Sequence, residues 1–307
     1  MSTLPAGSGP RIAALYVYPV KSCRGLSIDT MRFDALGPLD DRRWMLVDDR
    51  NEFLTQRELP RMALIAPTLL SGRLTLQAPG MPRLRLDDPA AALGAGGGGH
   101  AGGGGDVGGG GAARRETLCW DDRCAGFDEG PRVAEWLSGF LGQPARLLRF
   151  DASAPRACDA RRVGAAFGQP GALTRFSDGF PLLVVSMPAV VDLNRRLAVA
   201  GIAEASVERF RPNVVIDGVE PFEEDFAAEL VSGGVALRPV KPCSRCVIPE
   251  VDPDTGVHEP GILQVLAAYR ADPRLGGAVT FGQNCVVAAG LERALQVGDA
   301  LDVRLRF

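Results

Sequence analysis

Between Val235 and Gly256 the chain carries an alternating apolar run, two cysteines three residues apart, and three backbone punctuators, Pro249, Pro253 and Gly256. Alternation at period 2 marks a strand, and prolines this closely spaced remove the amide donors a helix needs. Lys241-Pro242-Cys243-Ser244-Arg245-Cys246 is therefore expected as a tight loop between strands, followed by a turn at Asp252-Pro253-Asp254-Thr255-Gly256. That placement narrows the chemistry of the thiols. A thioredoxin-like redox pair needs a helix N-terminus behind its first cysteine, which the prolines forbid. A closed zinc site needs four ligands, and the chain has neither a second Cys-x-x-Cys nor a His-x-x-x-His. What remains is a single thiolate beside Arg245 and Lys241, offered to a soft metal or an electrophile, with a pair of buried packing cysteines as the competing reading.

The rest of the chain repeats the β pattern. Arg11 to Tyr18 is expected as a strand that ends at Pro19 and delivers Lys21-Ser22-Cys23-Arg24-Gly25 as a loop whose lysine, hydroxyl and arginine suit an oxyanion. Leu26 to Phe33 and Asp41 to Val47 are two more strands, and period 2 in the second puts Arg42 on the same face as Trp44. Met62 to Leu70, Arg73 to Gln77, Leu118 to Trp120, Ala145 to Phe150, Leu182 to Val185, Val214 to Ile216, Phe281 to Val287 and Leu301 to Phe307 continue the series.

Helices are few. One opens at Pro131, carries Val133, Trp136, Leu137, Phe140 and Leu141 on one face, and stops at Gly142. A second is capped by Ser186 and runs to Val199, with Asp192, Asn194, Arg195 and Arg196 as its wet face. A third covers Gly261 to Arg270. The pattern is α+β and β-rich rather than alternating βαβ, so no dinucleotide crevice is expected. Arg211 and Asn213 flank Pro212, which fixes the backbone between them and holds the two side chains in a preset relation.

Ala90 to Ala113 includes thirteen glycines. No strand leads in and no Lys-Ser/Thr leads out, so the stretch is expected to be a disordered, glycine-rich insertion rather than a phosphate loop. His100 lies inside it and is a poor catalytic candidate; His258, the other histidine, is expected to cap or pack. The organisation expected is an N-terminal β domain over 1–125, containing the insertion at 90–113, and a second unit over 126–307. A net charge of −3 argues against a nucleic-acid polymer as partner. No leader and no membrane-length apolar run are evident, and seven cysteines, an odd number, read as thiols in the cytoplasm. Of 34 basic residues only Lys21 and Lys241 are lysines, and each lies two positions before a cysteine.

Five ordered motifs carry a family resemblance: Tyr18-Pro19-Val20-Lys21-Ser22-Cys23, Asp41-Arg42-Arg43-Trp44, Phe210-Arg211-Pro212-Asn213, the cysteine loop with its Val251-to-Gly256 turn, and Phe281-Gly282-Gln283-Asn284. Together they resemble the MOSC superfamily in its two-part form, shared by mitochondrial amidoxime-reducing components and bacterial YcbX-like proteins. The resemblance implies an N-terminal β domain followed by a MOSC β-barrel domain with a few peripheral helices. It also implies a molybdenum cofactor, Mo-molybdopterin, held between the two units. The metal then falls to Cys246, with Ser244 and Arg245 beside it. Pterin or phosphate contacts fall to Lys21, Ser22, Arg42, Ser177, Asp178, Arg211 and Asn213. Asn284 stands where the mitochondrial enzymes carry an aromatic residue, so a stacking contact becomes a hydrogen bond.

The residues themselves agree with that kind of site. Lys21, Arg42, Arg211 and Arg245 come from four separate segments of a mildly acidic chain, and a dianionic phosphate needs such convergence. The activity implied is reduction of small N-hydroxylated compounds, hydroxylamino-purines and amidoximes, with no membrane partner. No ferredoxin domain precedes Phe307 and no anchor helix is evident, so electrons are expected from an external flavin or iron-sulfur protein. Asp252 and Asp254 are candidate proton sources, against a purely turn-forming role. At superfamily level the resemblance also carries pyridoxal phosphate binding. The rival reading is a non-catalytic carrier of the cofactor, or of a persulfide on Cys246; a β-rich binding protein with neither is a third.

Overall fold

The structure, a computed structural model, describes residues 9–70, 72–86, 112–164 and 171–306. All but the last two positions of the expected insertion, His100 included, lie outside the described residues. Strands dominate, with four α-helices among the described residues.

The largest sheet has nine strands. Along it run Leu26–Ile28, Arg11–Val17, Val214–Asp217, Leu182–Ser186, Ala278–Ala289, Val235–Ser244, Ala227–Ser232 and Asp302–Leu305, with Ala271–Asp272 added on Ala278–Ala289. Its ends are stitched together. Arg11 bridges Ala300, and the Ile12 amide donates to the Asp299 carbonyl at 2.9 Å. Closure of this kind removes the exposed edges an open sheet would leave. Ile12, Leu15, Val184, Val214, Ile216, Leu230, Leu237 and Cys285 fill the interior. One pair, Leu182–Ser186 with Val214–Asp217, is parallel, and helix Met187–Val199 makes its crossover. The Ser186 side chain accepts from the Ala189 amide at the head of that helix, satisfying an otherwise unpaired donor.

A second, four-stranded sheet orders Trp44–Val47, Arg146–Phe150, Asp122–Asp128 and Arg114–Cys119, drawing strands from both sides of position 125. Helix Pro131–Leu141 lays Val133, Trp136, Leu137 and Phe140 against Trp44, Leu46, Leu74 and Leu76. It ends where Gly142 takes a left-handed φ of 75°, the helix stop that glycine accepts without a Cβ penalty.

Several expected elements differ. Met62 to Leu64 belongs to a 3-10 turn, Pro60–Leu64, and the strand begins only at Ala66. The loop expected from Lys241 begins only after Ser244, where strand Val235–Ser244 ends. Leu26 to Phe33 is two strands in two sheets, Leu26–Ile28 and Thr30–Asp34, because the chain bends at Asp29, whose carbonyl accepts the Val297 amide at 3.0 Å. The strand expected from Asp41 begins only at Trp44. Asp40 and Arg42 are left-handed, with φ of 63° and 46°, because the Asp41 carboxylate turns inward to take the Tyr18 amide at 2.8 Å. The period-2 argument placing Arg42 with Trp44 therefore fails. After Cys246 the chain forms a single 3-10 turn, Ile248–Glu250, instead of a second strand. Asn194 also leaves its expected wet face, clasping both backbone groups of Ala205 at 2.9 and 3.1 Å. His258 stands 3.4 Å from Glu250 at the surface.

Candidate active site

A cavity of about 220 Å³ opens where the cysteine strand, the turn at Arg42, the loop 175–181 and the segment 210–213 meet. Arg42, Ser177, Asp178, Arg211, Asn213, Ser244, Arg245, Cys246 and Asn284 all line it. Lys21 and Ser22 are buried behind that lining, and Asp252 lies outside it.

The cationic wall is built around Tyr18, a residue the sequence reading gave no role. Its buried ring meets two guanidinium groups, Arg42 at 4.4 Å and Arg211 at 4.3 Å from the ring centre, a pair of cation–π contacts. Gly25 makes room for it, since a Cβ there would meet the ring at 2.5 Å. Arg42 donates to both Asp41 oxygens at 2.7 and 2.6 Å and to Asn213 Oδ1 at 3.1 Å. Asn213 in turn donates to Asp41 at 3.0 Å. Ser22, Arg42 and Arg211 are all left-handed, with φ of 62°, 46° and 56°. Each such backbone costs on the order of 1–3 kcal/mol, and clusters of them accompany functional sites.

Two of the arginines are incompletely used. Arg211 Nη1 donates to the Cys23 carbonyl at 2.7 Å, yet Nη2 is buried with no partner. Burial pushes this guanidinium below its ordinary range, and the nearby Arg42 adds to the effect. Arg245 donates to Cys243 Sγ at 2.9 Å and to the Phe210 carbonyl at 2.5 Å, while its Nε has no partner. A buried donor left unpaired costs about 1–3 kcal/mol, more when charged. Both residues line the cavity and carry charge that the protein does not fully pair, so the donor set there fits a phosphate-bearing group.

Asp178, exposed at the cavity, pairs with the buried Lys21, which also donates to the Phe176 carbonyl at 2.9 Å. Beside the cavity wall the carboxylate loses part of its water, which disfavours its charge, but Lys21, Trp120 and Arg42 outweigh that and hold the carboxyl far below the usual range. Trp120 contributes a 3.0 Å hydrogen bond from Nε1. Two buried arginines outside the motifs fix this loop. Arg156 donates to the carbonyls of Arg175 and Ser177 at 2.8 and 2.7 Å and pairs with Asp122; Arg175 donates to the Pro38 carbonyl and pairs with Asp34. Arg156 stands in a segment without apolar periodicity, and Arg175 at its edge, so nothing in the pattern announced them.

The thiols divide sharply. Burial pushes Cys23, Cys124 and Cys158 up to about 12, which makes them packing residues at neutral pH. Cys243 is half-buried beside Arg245, and Cys246 is exposed on the cavity wall. Pro239 and Pro242 withhold ladder donors, and the strand slips register against Ala278–Ala289 on both sides of Lys241. Those bulges turn the chain so that Cys246 follows the end of the strand. Gly282, with φ of 76°, allows the facing strand within 2.6 Å of the Val184 carbonyl, measured from where a Cβ would sit. Among the described residues no three His, Cys, Asp or Glu side chains are arranged to hold a metal ion. A metal on Cys246 would take most of its ligands from outside the protein.

Asp252 is occupied elsewhere. Its carboxylate accepts the amides of Asp254 and Thr255 at 2.9 and 2.8 Å and pairs with Arg209 at 2.7 Å. Partial burial works against its charge, but these donors hold the carboxyl below its ordinary range, so it is ionised and builds the turn.

Comparison with known proteins agrees over most of the chain. Residues 9–144 match the family model of the MOSC N-terminal beta barrel domain, and residues 173–302 match that of the MOSC domain. The chain is 33% identical over 289 residues to mitochondrial amidoxime-reducing component 1 of Homo sapiens, covering 90% of this chain and 78% of that protein. It is 31% identical to mitochondrial amidoxime reducing component 2 of Bos taurus, over 85% of this chain and 73% of that protein. Similarity at 26% extends over 87% of this chain, but only 29% of the other, to human molybdenum cofactor sulfurase. No helix of the described residues is long and apolar enough to cross a membrane. With both family models matched in order and a relative one-third identical over most of its length, the chain belongs to the MOSC family, in the form that joins a MOSC N-terminal β-barrel domain to a MOSC domain.

Proposed function

We propose that this protein is a molybdenum-cofactor-dependent reductase of small N-hydroxylated compounds such as amidoximes and hydroxylamino-purines. The observation that carries the reading is the convergence of one exposed thiol, Cys246, with the incompletely paired Arg211 and Arg245 on a single cavity wall. When bound, the cofactor supplies the two-electron chemistry. The chain's own residues have distinct tasks. Cys246 offers a soft sulfur ligand. Arg211, Arg245 and Arg42 hold the anionic pterin phosphate, and Ser177, Asn213 and Ser244 add neutral hydrogen bonds. Lys21 and Ser22 stiffen the wall from behind: the buried ammonium fixes Asp178 and the Phe176 carbonyl. Asn284 faces the cavity with an amide that can bond to cofactor or substrate.

The names of the similar amidoxime-reducing components support the substrate class. All seven cysteines are free, which supports a reducing compartment such as the cytoplasm, with electrons from a separate flavin or iron-sulfur protein. The test is reduction of benzamidoxime by the cofactor-loaded protein with an artificial electron donor. Activity lost in Cys246→Ser supports the reading, and equal activity in both proteins refutes it.

The similarity to molybdenum cofactor sulfurase, together with the exposure of Cys246, keeps one rival: a carrier that holds cofactor or a persulfide without turnover. Labile sulfane sulfur with no molybdenum in the isolated protein would favour the carrier.

A further inference from the structure

Strands Val235–Ser244 and Ala278–Ala289 set Lys241 directly opposite Asn284 in antiparallel register, and both residues line the cavity. Side chains opposed in this way share a face, with β-carbons about 4.5–5.5 Å apart. The other charged groups of the cavity are held by the protein. Arg42 is bound to Asp41, Arg211 to the Cys23 carbonyl, Arg245 to the Phe210 carbonyl, and Asp178 to Lys21. Lys241, half-buried, has no side-chain hydrogen bond or ion pair among the described residues, and neither has the Asn284 amide.

The residue type is informative as well. Thirty-two of the 34 basic positions are arginine, a side chain that does not release its proton in proteins, whereas an ammonium does. Removing oxygen from a hydroxylamine-type nitrogen consumes two electrons and two protons: R–NH–OH + 2e⁻ + 2H⁺ gives R–NH₂ + H₂O. The N–O bond breaks, one proton ends on nitrogen and one on the departing oxygen, and a reduced flavin or iron-sulfur donor supplies the electrons. Neither carboxylate near the reaction is a ready source. Asp252 lies outside the cavity lining in its turn, and Asp178 is ionised against Lys21.

We propose that Lys241 is the proton donor to the departing oxygen of the substrate, and that Asn284 orients that oxygen beside it. This rests on the reductase reading above. Transfer from a positioned acid typically contributes about 10²–10⁴-fold in rate.

The experiment uses the full chain loaded with cofactor, as wild type, Lys241→Arg and Lys241→Met, each checked for an unchanged thermal melt. Both variants are expected to retain wild-type molybdenum content and to reduce benzamidoxime with kcat lowered about 100-fold, while Lys241→Arg keeps the wild-type KM. A readout independent of turnover comes from the composition. With only two lysines in the chain, protein grown on lysine labelled with ¹³C at Cε gives two signals, and Lys241→Arg identifies one. Saturating benzamidoxime, added to the oxidised protein, is expected to shift the Lys241 signal and leave that of Lys21 in place. Wild-type kcat in Lys241→Arg, an unmoved Lys241 signal, or loss of molybdenum from Lys241→Met each overturns the proposal while leaving the reductase reading standing. A molybdenum-loaded wild type that reduces no benzamidoxime overturns both.

Discussion

Lys21 and Asp178, 157 positions apart, form an ion pair whose two ends live in different media: the lysine side chain is 7% exposed and the aspartate side chain 71%. The pair ties the loop after the first strand to the loop carrying Ser177, and it does so asymmetrically. Water can solvate the aspartate alone; it cannot reach the ammonium.

Removing the two partners is therefore not equivalent. Asp178→Ala strands a buried ammonium on one carbonyl and is expected to cost about 2 kcal/mol, below the 3–5 kcal/mol of a fully buried pair because the aspartate end is wet. Lys21→Met leaves a solvated carboxylate and is expected to cost under about 1 kcal/mol. Because the Asp178 carboxyl is depressed in the folded protein, its contribution is present at neutral pH and fades as pH falls below the ordinary carboxylate range. Urea midpoints at neutral and acidic pH measure both effects, and a larger loss for Lys21→Met would reverse the assignment.

Glu224 is fully buried, accepts the Ser186 amide at 3.2 Å, and has its second oxygen unpaired. Burial first, then neighbouring Asp225, raises its carboxyl to about 7. The folded state thus holds a proton that the unfolded chain releases near 4.5, so stability falls as pH rises between those values and is level above. Glu224→Gln is expected to remove that fall, becoming more stable than wild type by up to about 3 kcal/mol at pH 8 and nearly equal to it at pH 4.5. Thermal or urea denaturation across this range reads the difference directly.

Two glycines with the same φ separate backbone strain from steric contact. Gly142 and Gly282 stand at 75° and 76°, but a Cβ on Gly142 meets open space, whereas one on Gly282 lies 2.6 Å from the Val184 carbonyl. Gly142→Ala is expected to cost about 1–2 kcal/mol, the left-handed penalty alone. Gly282→Ala adds a backbone clash inside the central sheet and is expected to cost more than about 3 kcal/mol. Equal melting points for the two variants would show that the sheet at Gly282 yields.

Much of this architecture could be read in advance where one physical signal governed one element. The helix stop at Gly142 and the cap at Ser186 depend on local chemistry, and both stand where the residues indicate. Arg42 shows the opposite case. Its position follows from what Asp41 bonds 23 residues earlier and 172 residues later, which no local period reports. The packing of Tyr18, Arg156 and Arg175 leaves no local signal for the same reason. Each is buried by partners distant in sequence, and a tyrosine or arginine that satisfies a remote carbonyl or guanidinium leaves no repeating pattern. The convergence of Arg42, Arg211 and Arg245 was legible through the motifs that carry them and the family those motifs resemble, while the unpaired Nη2 of Arg211 needed coordinates.

The central claim rests on the sulfur of Cys246, and the most direct measurement is molybdenum and pterin content in purified wild type and Cys246→Ser, each expressed with the cofactor available. The thiol is exposed, so the substitution is expected to change stability by less than about 0.5 kcal/mol, and loss of metal cannot be assigned to unfolding. Stoichiometric molybdenum in the wild type and its loss from a folded Cys246→Ser is the predicted result. Equal molybdenum in both proteins, or a folded wild type that takes up none, would contradict the account.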